Sequence, residues 1–132
     1  MKKVVFFILA TLIFAQNNLY NTALLFYKAK NYQKAYKVFE KLLKSNYKSL
    51  NYNFYYGMCC EKLKKYNQAI AAFERILIYS PKNIRAKLEL GKIYFILKKY
   101  KQSKKYFLAA LSQTKNEKVK KNIQKYLNKI YN

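Results

Sequence analysis

Apolar residues fall along this chain in two distinct ways. Near the start they form a nearly unbroken block, Val4-Val5-Phe6-Phe7-Ile8-Leu9-Ala10-Thr11-Leu12-Ile13-Phe14-Ala15, set between Met1-Lys2-Lys3 and the polar Gln16-Asn17-Asn18. Beyond that block they recur at helical spacing. Within residues 50–83, Phe54, Met58 and Glu61 follow one helical row, and Tyr56 and Cys60 follow its neighbour. After Lys64-Lys65-Tyr66-Asn67, the set Ala69, Ile70, Phe73, Ile76 and Leu77 keeps a 3.6-residue period, as one buried face of an amphipathic helix requires. Ser80-Pro81 then stops the second helix, because proline lacks the N–H that a continuing helix needs. In the tail, Val119, Ile123, Tyr126, Leu127 and Ile130 share a face, with Lys118, Lys120, Lys121, Lys125 and Lys129 elsewhere. The pattern predicts helices in pairs.

The pairs repeat. Gly57 and Gly91 lie 34 residues apart, as do Tyr32, Tyr66 and Tyr100, and Phe39, Phe73 and Phe107. Leu43, Leu77 and Leu111 keep the same step, and so do Lys30, Lys64 and Lys98. Ala35 and Ala69 align with Ser103, and Ala23 falls where the two glycines fall. A fixed period of this length marks a repeat architecture, with units 16–49, 50–83 and 84–117 and a tail at 118–132. Small residues in two columns let helix backbones approach closely, while the Phe and Leu columns fill the space between neighbouring pairs. The lysine column is expected to close each first helix against its dipole. Terminal repeats need a polar outer face, so the tail reads as a capping helix over the last unit. A fourth half-repeat and a partner-binding amphipathic helix are the alternatives.

Over 16–117 these columns resemble the tetratricopeptide-repeat family, whose 34-residue unit has small residues at its eighth and twentieth positions and an aromatic at its twenty-fourth. Ala23, Gly57, Gly91, Ala35, Ala69, Ser103, Phe39, Phe73, Phe107 and the late Pro81 match. The family's early Trp is replaced by Leu19, Asn53 and Lys87, and its late Pro by Tyr47 and Lys115. The resemblance implies an all-α fold, a right-handed α-solenoid of three helix-turn-helix repeats plus a C-terminal capping helix. It also implies a non-catalytic protein–protein interaction module or assembly scaffold. Its ligand face would be the concave face of the first helices, carrying Tyr20, Leu24, Tyr27, Phe54, Met58, Arg85, Leu88 and Phe95. Aromatic and Met side chains there suit an apolar peptide or helix. The family's clamp for a terminal carboxylate uses Lys and Asn where this chain has Tyr20 and Leu24, which argues against that specificity.

A basic start, a short apolar block and a small residue before a polar stretch match a secretory signal at 1–15. At about a dozen residues, the block falls short of the roughly 20 that span a bilayer as a helix. An exported protein of a bacterial periplasm or cell envelope is therefore expected. With cleavage after Ala15, the chain would start at Gln16, the first position of the first repeat, and Asn17 or Asn18 would cap its first helix. Ile13 is larger than the residue preferred at such a site, so retention as an uncleaved tether is the runner-up.

Charge adds a second surface. The 28 basic and 5 acidic residues give a net charge of +23, a field that attracts anionic lipid, nucleic acid or acidic partners. Only Arg75 and Arg85 are arginines. Nucleic-acid readers lean on Arg for bidentate contacts, and the Lys, Asn, Tyr and Ile richness fits an AT-rich genome, so nucleic acid is not expected as a partner. Lys28, Lys30, Lys62, Lys64, Lys65, Lys98 and Lys99 cluster at the turns inside the repeats. Such turns align along one edge of a solenoid. An envelope-surface protein using that edge on anionic lipid or polymer is the alternative function.

Candidate chemistry is sparse. The chain has no His, and Glu40, Glu61, Glu74, Glu89 and Glu117 are its only acids. No carboxylate pair, glycine-rich phosphate loop or nucleophile elbow occurs. An enzyme, a metal site, a cofactor and a small-molecule substrate are not expected. Adjacent Cys59 and Cys60 point about 100° apart on a helix and are poorly placed to bond one another. Cys60 stands where Phe26 and Tyr94 stand in the other repeats, so it reads as core. Cys59 is left as a core residue or a cross-linking thiol.

Overall fold

Helices take up nearly the whole chain, and polar residues punctuate them. The computed structural model describes residues 1–132, with α1 Lys2–Lys28, α2 Tyr32–Ser45, α3 Leu50–Lys62, α4 Tyr66–Tyr79, α5 Ile84–Ile96, α6 Tyr100–Gln113 and α7 Glu117–Tyr131. Asparagine and serine supply most of the N-terminal caps. The side chains of Asn31, Ser49, Asn83 and Asn116 accept hydrogen bonds from the backbone N–H groups of Lys34, Tyr52, Ala86 and Lys118, satisfying donors that the first turn leaves open. The tyrosine column opens each second helix, since Tyr32, Tyr66 and Tyr100 are the first residues of α2, α4 and α6.

In the uncleaved chain the first helix begins at Lys2 and runs unbroken for 27 residues, with Asn17 and Asn18 inside it. The physical reason is that residues 2–28 contain no Gly or Pro, and a helix once nucleated propagates cheaply through residues of adequate propensity. An 18-residue stretch of it has mean hydropathy 1.4 and none of it is buried.

The lysine column needs correcting. Lys30, Lys64 and Lys98 lie two residues beyond their helices, in the left-handed region with φ of 60°, 59° and 59°. At the first turn the N–H of Lys30 donates to the carbonyl of Tyr27, and that of Asn31 to the carbonyl of Phe26. The same pair of bonds recurs at Lys64-Lys65 and at Lys98-Lys99. This is a Schellman closure, which satisfies the last helical carbonyls by a left-handed residue just past the helix. The column is therefore a turn position rather than a charge placed within the final helical turn.

The chain folds as two units, Met1–Lys65 and Tyr66–Asn132. In the first, α2 packs against both α1 and α3, and Ala23, Ala35, Phe39, Leu42, Cys59 and Cys60 are buried. Asn53, at the family's Trp position, is also fully buried; its Nδ2 donates to the carbonyls of Tyr47 at 2.7 Å and Ser49 at 2.8 Å. It thus holds the α2–α3 turn from inside, which a Trp could not do in the same way. In the second unit α5 packs against α4 and α6, and α7 against α6. The small-residue columns meet there as expected: Ser103 Oγ donates to the carbonyl of Gly91 at 2.8 Å, and a Cβ on Gly91 would sit 2.8 Å from the Phe107 ring. The tail is a capping helix. Ile123 and Leu127 bury against Phe107 and Ala110, with Val119, Tyr126 and Ile130 packed around them.

Candidate partner-binding face

In the first unit the expected face residues lie on α1 and α3. Tyr20, Leu24, Tyr27, Phe54 and Met58 are all half-buried, which leaves part of each accessible. Two of them are tied into an aromatic cluster. The Tyr20 ring lies 6.2 Å from Phe39, 5.4 Å from Tyr52 and 6.5 Å from Tyr55. Tyr27 lies 5.7 Å from Tyr32 and 5.2 Å from Tyr55. Burial, followed by the neighbouring Tyr55 and Tyr52 hydroxyls, pushes the Tyr20 hydroxyl above its ordinary value. Tyr20 and Tyr27 therefore knit helices together. Phe54 and Met58 lie one turn apart on α3, and Phe54 meets the edge of Tyr55 at 5.5 Å.

Tyr55 is the hub that sequence reasoning missed. It stacks on Phe39 at 5.7 Å with an interplanar angle of 11°. The corresponding residues of the other repeats are Asn21 and Glu89, so no column marked it. Aromatic richness around Tyr52-Asn53-Phe54-Tyr55-Tyr56 was the only available signal.

In the second unit Arg85 is exposed on the first turn of α5, whereas Leu88 is half-buried against the core shared by α6 and α7. Phe95 sits between Tyr100 at 5.6 Å and Tyr126 at 5.2 Å. The capping helix thus reaches residues expected to face a ligand. On α7, Tyr126 meets Phe95 and Lys118 borders a recess with Leu88, while lysines recur three or four residues apart at 118, 121, 125 and 129.

All seven turn lysines, Lys28, Lys30, Lys62, Lys64, Lys65, Lys98 and Lys99, are exposed. Lys65 Nζ stands 5.4 Å above the Tyr36 ring. Both cysteines are fully buried and unbonded. Burial pushes the Cys59 thiol up to about 12 and that of Cys60 to about 11. Cys59 thus packs as a core residue in the folded chain. Glu89 and Glu117 pair with Lys92 at 3.1 Å and Lys120 at 3.2 Å, and Glu74 accepts a hydrogen bond from the Tyr94 hydroxyl at 3.4 Å.

Solved structures share this fold. SycD, the type III secretion chaperone of Yersinia enterocolitica, in complex with a peptide of the translocator YopD, matches with a TM-score of 0.82 at 18% identity, covering 87% of this chain and 91% of that one. PcrH, from Pseudomonas aeruginosa, in complex with the chaperone-binding region of PopD, matches with a TM-score of 0.79 at 18% identity over 87% and 90%. The first tetratricopeptide domain of Spaghetti (RPAP3), bound to the HSP90 peptide SRMEEVD, matches with a TM-score of 0.78 at 16% identity over 89% and 94%. By sequence, no curated protein matches. The family model described as anaphase-promoting complex, cyclosome, subunit 3 matches residues 7–76, and that described as tetratricopeptide repeat matches residues 62–121. Both are tetratricopeptide-repeat models, and together with the buried small-residue and Phe columns they place this all-α chain in the tetratricopeptide-repeat family.

Proposed function

We propose that this chain is an exported, non-catalytic interaction module that takes a peptide segment of a partner protein on the face of its first helices. The observation that carries the reading is the fold held in common with three structures that each contain a bound peptide or chaperone-binding region. Phe54 and Met58 support it from the chain itself, since adjacent half-buried apolar side chains on α3 are the kind of anchor that peptide recognition uses. Export is read from the Lys2-Lys3 start and the exposed apolar block that follows it.

The test is photo-crosslinking in the cell. A Met58→p-benzoylphenylalanine chain should yield a discrete adduct mapping to one short partner segment, and Lys41→p-benzoylphenylalanine should not. Adding Phe54→Ala should weaken the Met58 adduct while the thermal midpoint stays nearly unchanged. Equal adducts at both positions would refute the reading, and a large loss of midpoint would show that Phe54 is a core residue.

The lysine edge is a second reading, favoured by the exposure of all seven turn lysines. Binding through it to anionic vesicles should weaken steeply with ionic strength, whereas apolar groove binding should not.

A further inference from the structure

Beside the face it packs with, the capping helix presents a row of exposed lysines. Ile123 and Leu127 turn into the core, while Lys118, Lys121, Asn122, Lys125, Tyr126 and Lys129 of α7 border an open depression of about 420 Å³. A smaller recess of about 150 Å³ continues it onto α5, where Leu88 and Lys92 meet Lys118, Val119 and Asn122. Over the 11 residues from Lys118 to Lys129 a helix rises about 16 Å, the reach of about five residues of extended peptide.

Charge decides what fits. The unit's two ion pairs engage Lys92 and Lys120, so Glu89 and Glu117 are both taken. Lys118, Lys121, Lys125 and Lys129 have no carboxylate against them; Lys129 only overlies the Tyr126 ring, at 6.0 Å. A cation over a ring keeps its full charge. Four like charges along one groove repel one another, and a ligand carrying carboxylates relieves that repulsion. The recess adds apolar lining from Leu88 and Val119, which suits an aliphatic side chain beside the acidic ones. A flat bilayer cannot enter a concave recess, and lysine without arginine is poorly suited to reading nucleic acid.

We infer that the α5–α7 groove binds an extended acidic peptide segment, with Glu or Asp side chains along the α7 lysine row and an aliphatic residue in the Leu88–Val119 recess. This rests on the peptide-binding reading above and names the chemistry of the partner.

Fluorescence anisotropy on the full chain in nonionic detergent tests it. The probes are a short labelled peptide of Glu residues flanking one Leu, its Gln counterpart, and a neutral amphipathic peptide rich in Leu and Phe. The Glu peptide should bind at least tenfold more tightly than the Gln peptide. Lys121→Gln with Lys125→Gln should weaken it about three- to tenfold, the scale of two partly exposed ion pairs. Lys30→Gln with Lys64→Gln should leave it unchanged, and circular dichroism should show all variants equally folded. Equal binding of the Glu and Gln peptides, or equal loss in the two double variants, would overturn the inference. So would anionic lipid, supplied in mixed micelles, displacing the Glu peptide as readily from the Lys121→Gln/Lys125→Gln chain as from the unchanged one. If the Glu peptide fails but the neutral peptide binds and responds to Phe54→Ala, the acidic preference falls and the peptide module stands. If neither peptide binds, both fall.

Discussion

Lys30, Lys64 and Lys98 occupy the left-handed region at equivalent turns, with φ of 60°, 59° and 59°. An L-residue there brings its Cβ against the following carbonyl oxygen, at a cost of roughly 1–2 kcal/mol. Glycine has no such clash but gives the unfolded chain extra freedom, worth about 0.5–1 kcal/mol. The difference leaves about 0.5–1 kcal/mol of stabilisation for each Lys→Gly substitution. The sites lie far apart in sequence and share no partner, so their effects should add, to about 1.5–3 kcal/mol for the triple variant. Near a chain of this size each kcal/mol raises the thermal midpoint by about 3–5 °C. Removing lysines from a chain of net charge +23 could also stabilise it by relieving repulsion, and Lys→Ala separates the two effects because Ala loses the charge but keeps the Cβ. Urea denaturation of Gly and Ala variants at each site is the assay. Gly should exceed Ala at all three turns. If Ala stabilises as much as Gly, charge relief is the cause, and if Gly has no effect, the turns carry no backbone strain.

Gly91→Ala should cost about 1–2 kcal/mol by denaturant titration despite the better helix propensity of Ala. The new methyl would sit 2.8 Å from the ring of Phe107, which is fully buried and stacked on Tyr126 at 4.8 Å; Phe107→Leu should recover part of the loss. Asn53→Ala should cost about 1–2 kcal/mol, since it removes the side-chain bonds to the partly buried carbonyls of Tyr47 and Ser49, of which only that of Ser49 keeps a backbone donor, the Asn53 N–H, and faster amide exchange in residues 46–50 should accompany it. Thiol reagents should label Cys59 and Cys60 only through unfolding. Both folded values lie above the ordinary 9.0, so as pH rises from about 9 towards 11–12 the unfolded thiols lose protons that the folded ones retain, and stability falls. A Cys59→Ala/Cys60→Ala chain should show a shallower decline over that range.

The repeat was legible because sterics fix one residue type per column. Phe39, Phe73 and Phe107 are all fully buried, and no smaller or more polar side chain would fill those crossings. Ser103 replaces alanine in its column without disturbing the backbone approach, because its hydroxyl finds the Gly91 carbonyl. The candidate face was less legible. A position on the first-helix face does not say whether a ring turns towards a ligand or towards the next helix, and Tyr20 turns towards Tyr52 and Tyr55. Phe95 meets Tyr126, a pairing hidden because the tail departs from the 34-residue register. A lysine column in a sequence speaks of charge, since nothing in a lysine signals a left-handed backbone as glycine would.

The first helix joins two segments with different physical character. Residues 2–15 are exposed throughout, with Phe6, Phe7 and Phe14 at 75%, 71% and 74%, and the first half-buried residue is Gln16. From Gln16 to the end at Lys28 the helix has 13 residues, the same length as α3 and α5. Removing residues 1–15 therefore deletes no residue of the core, and the burial term of roughly 25 cal/mol per Å² changes little. What is lost is a continuing helix before Gln16, and Asn17 or Asn18 can then cap the new end, a role that limits the penalty to about 1 kcal/mol or less. The chain beginning at Gln16 should therefore melt within about 4 °C of the full chain and no longer need detergent. A much larger fall would mean that the apolar block packs on the fold. Intact-mass measurement on the protein from envelope fractions should find this shortened form. A full-length mass in the envelope would identify a retained tether, and a full-length mass in a soluble cytoplasmic fraction would overturn export altogether.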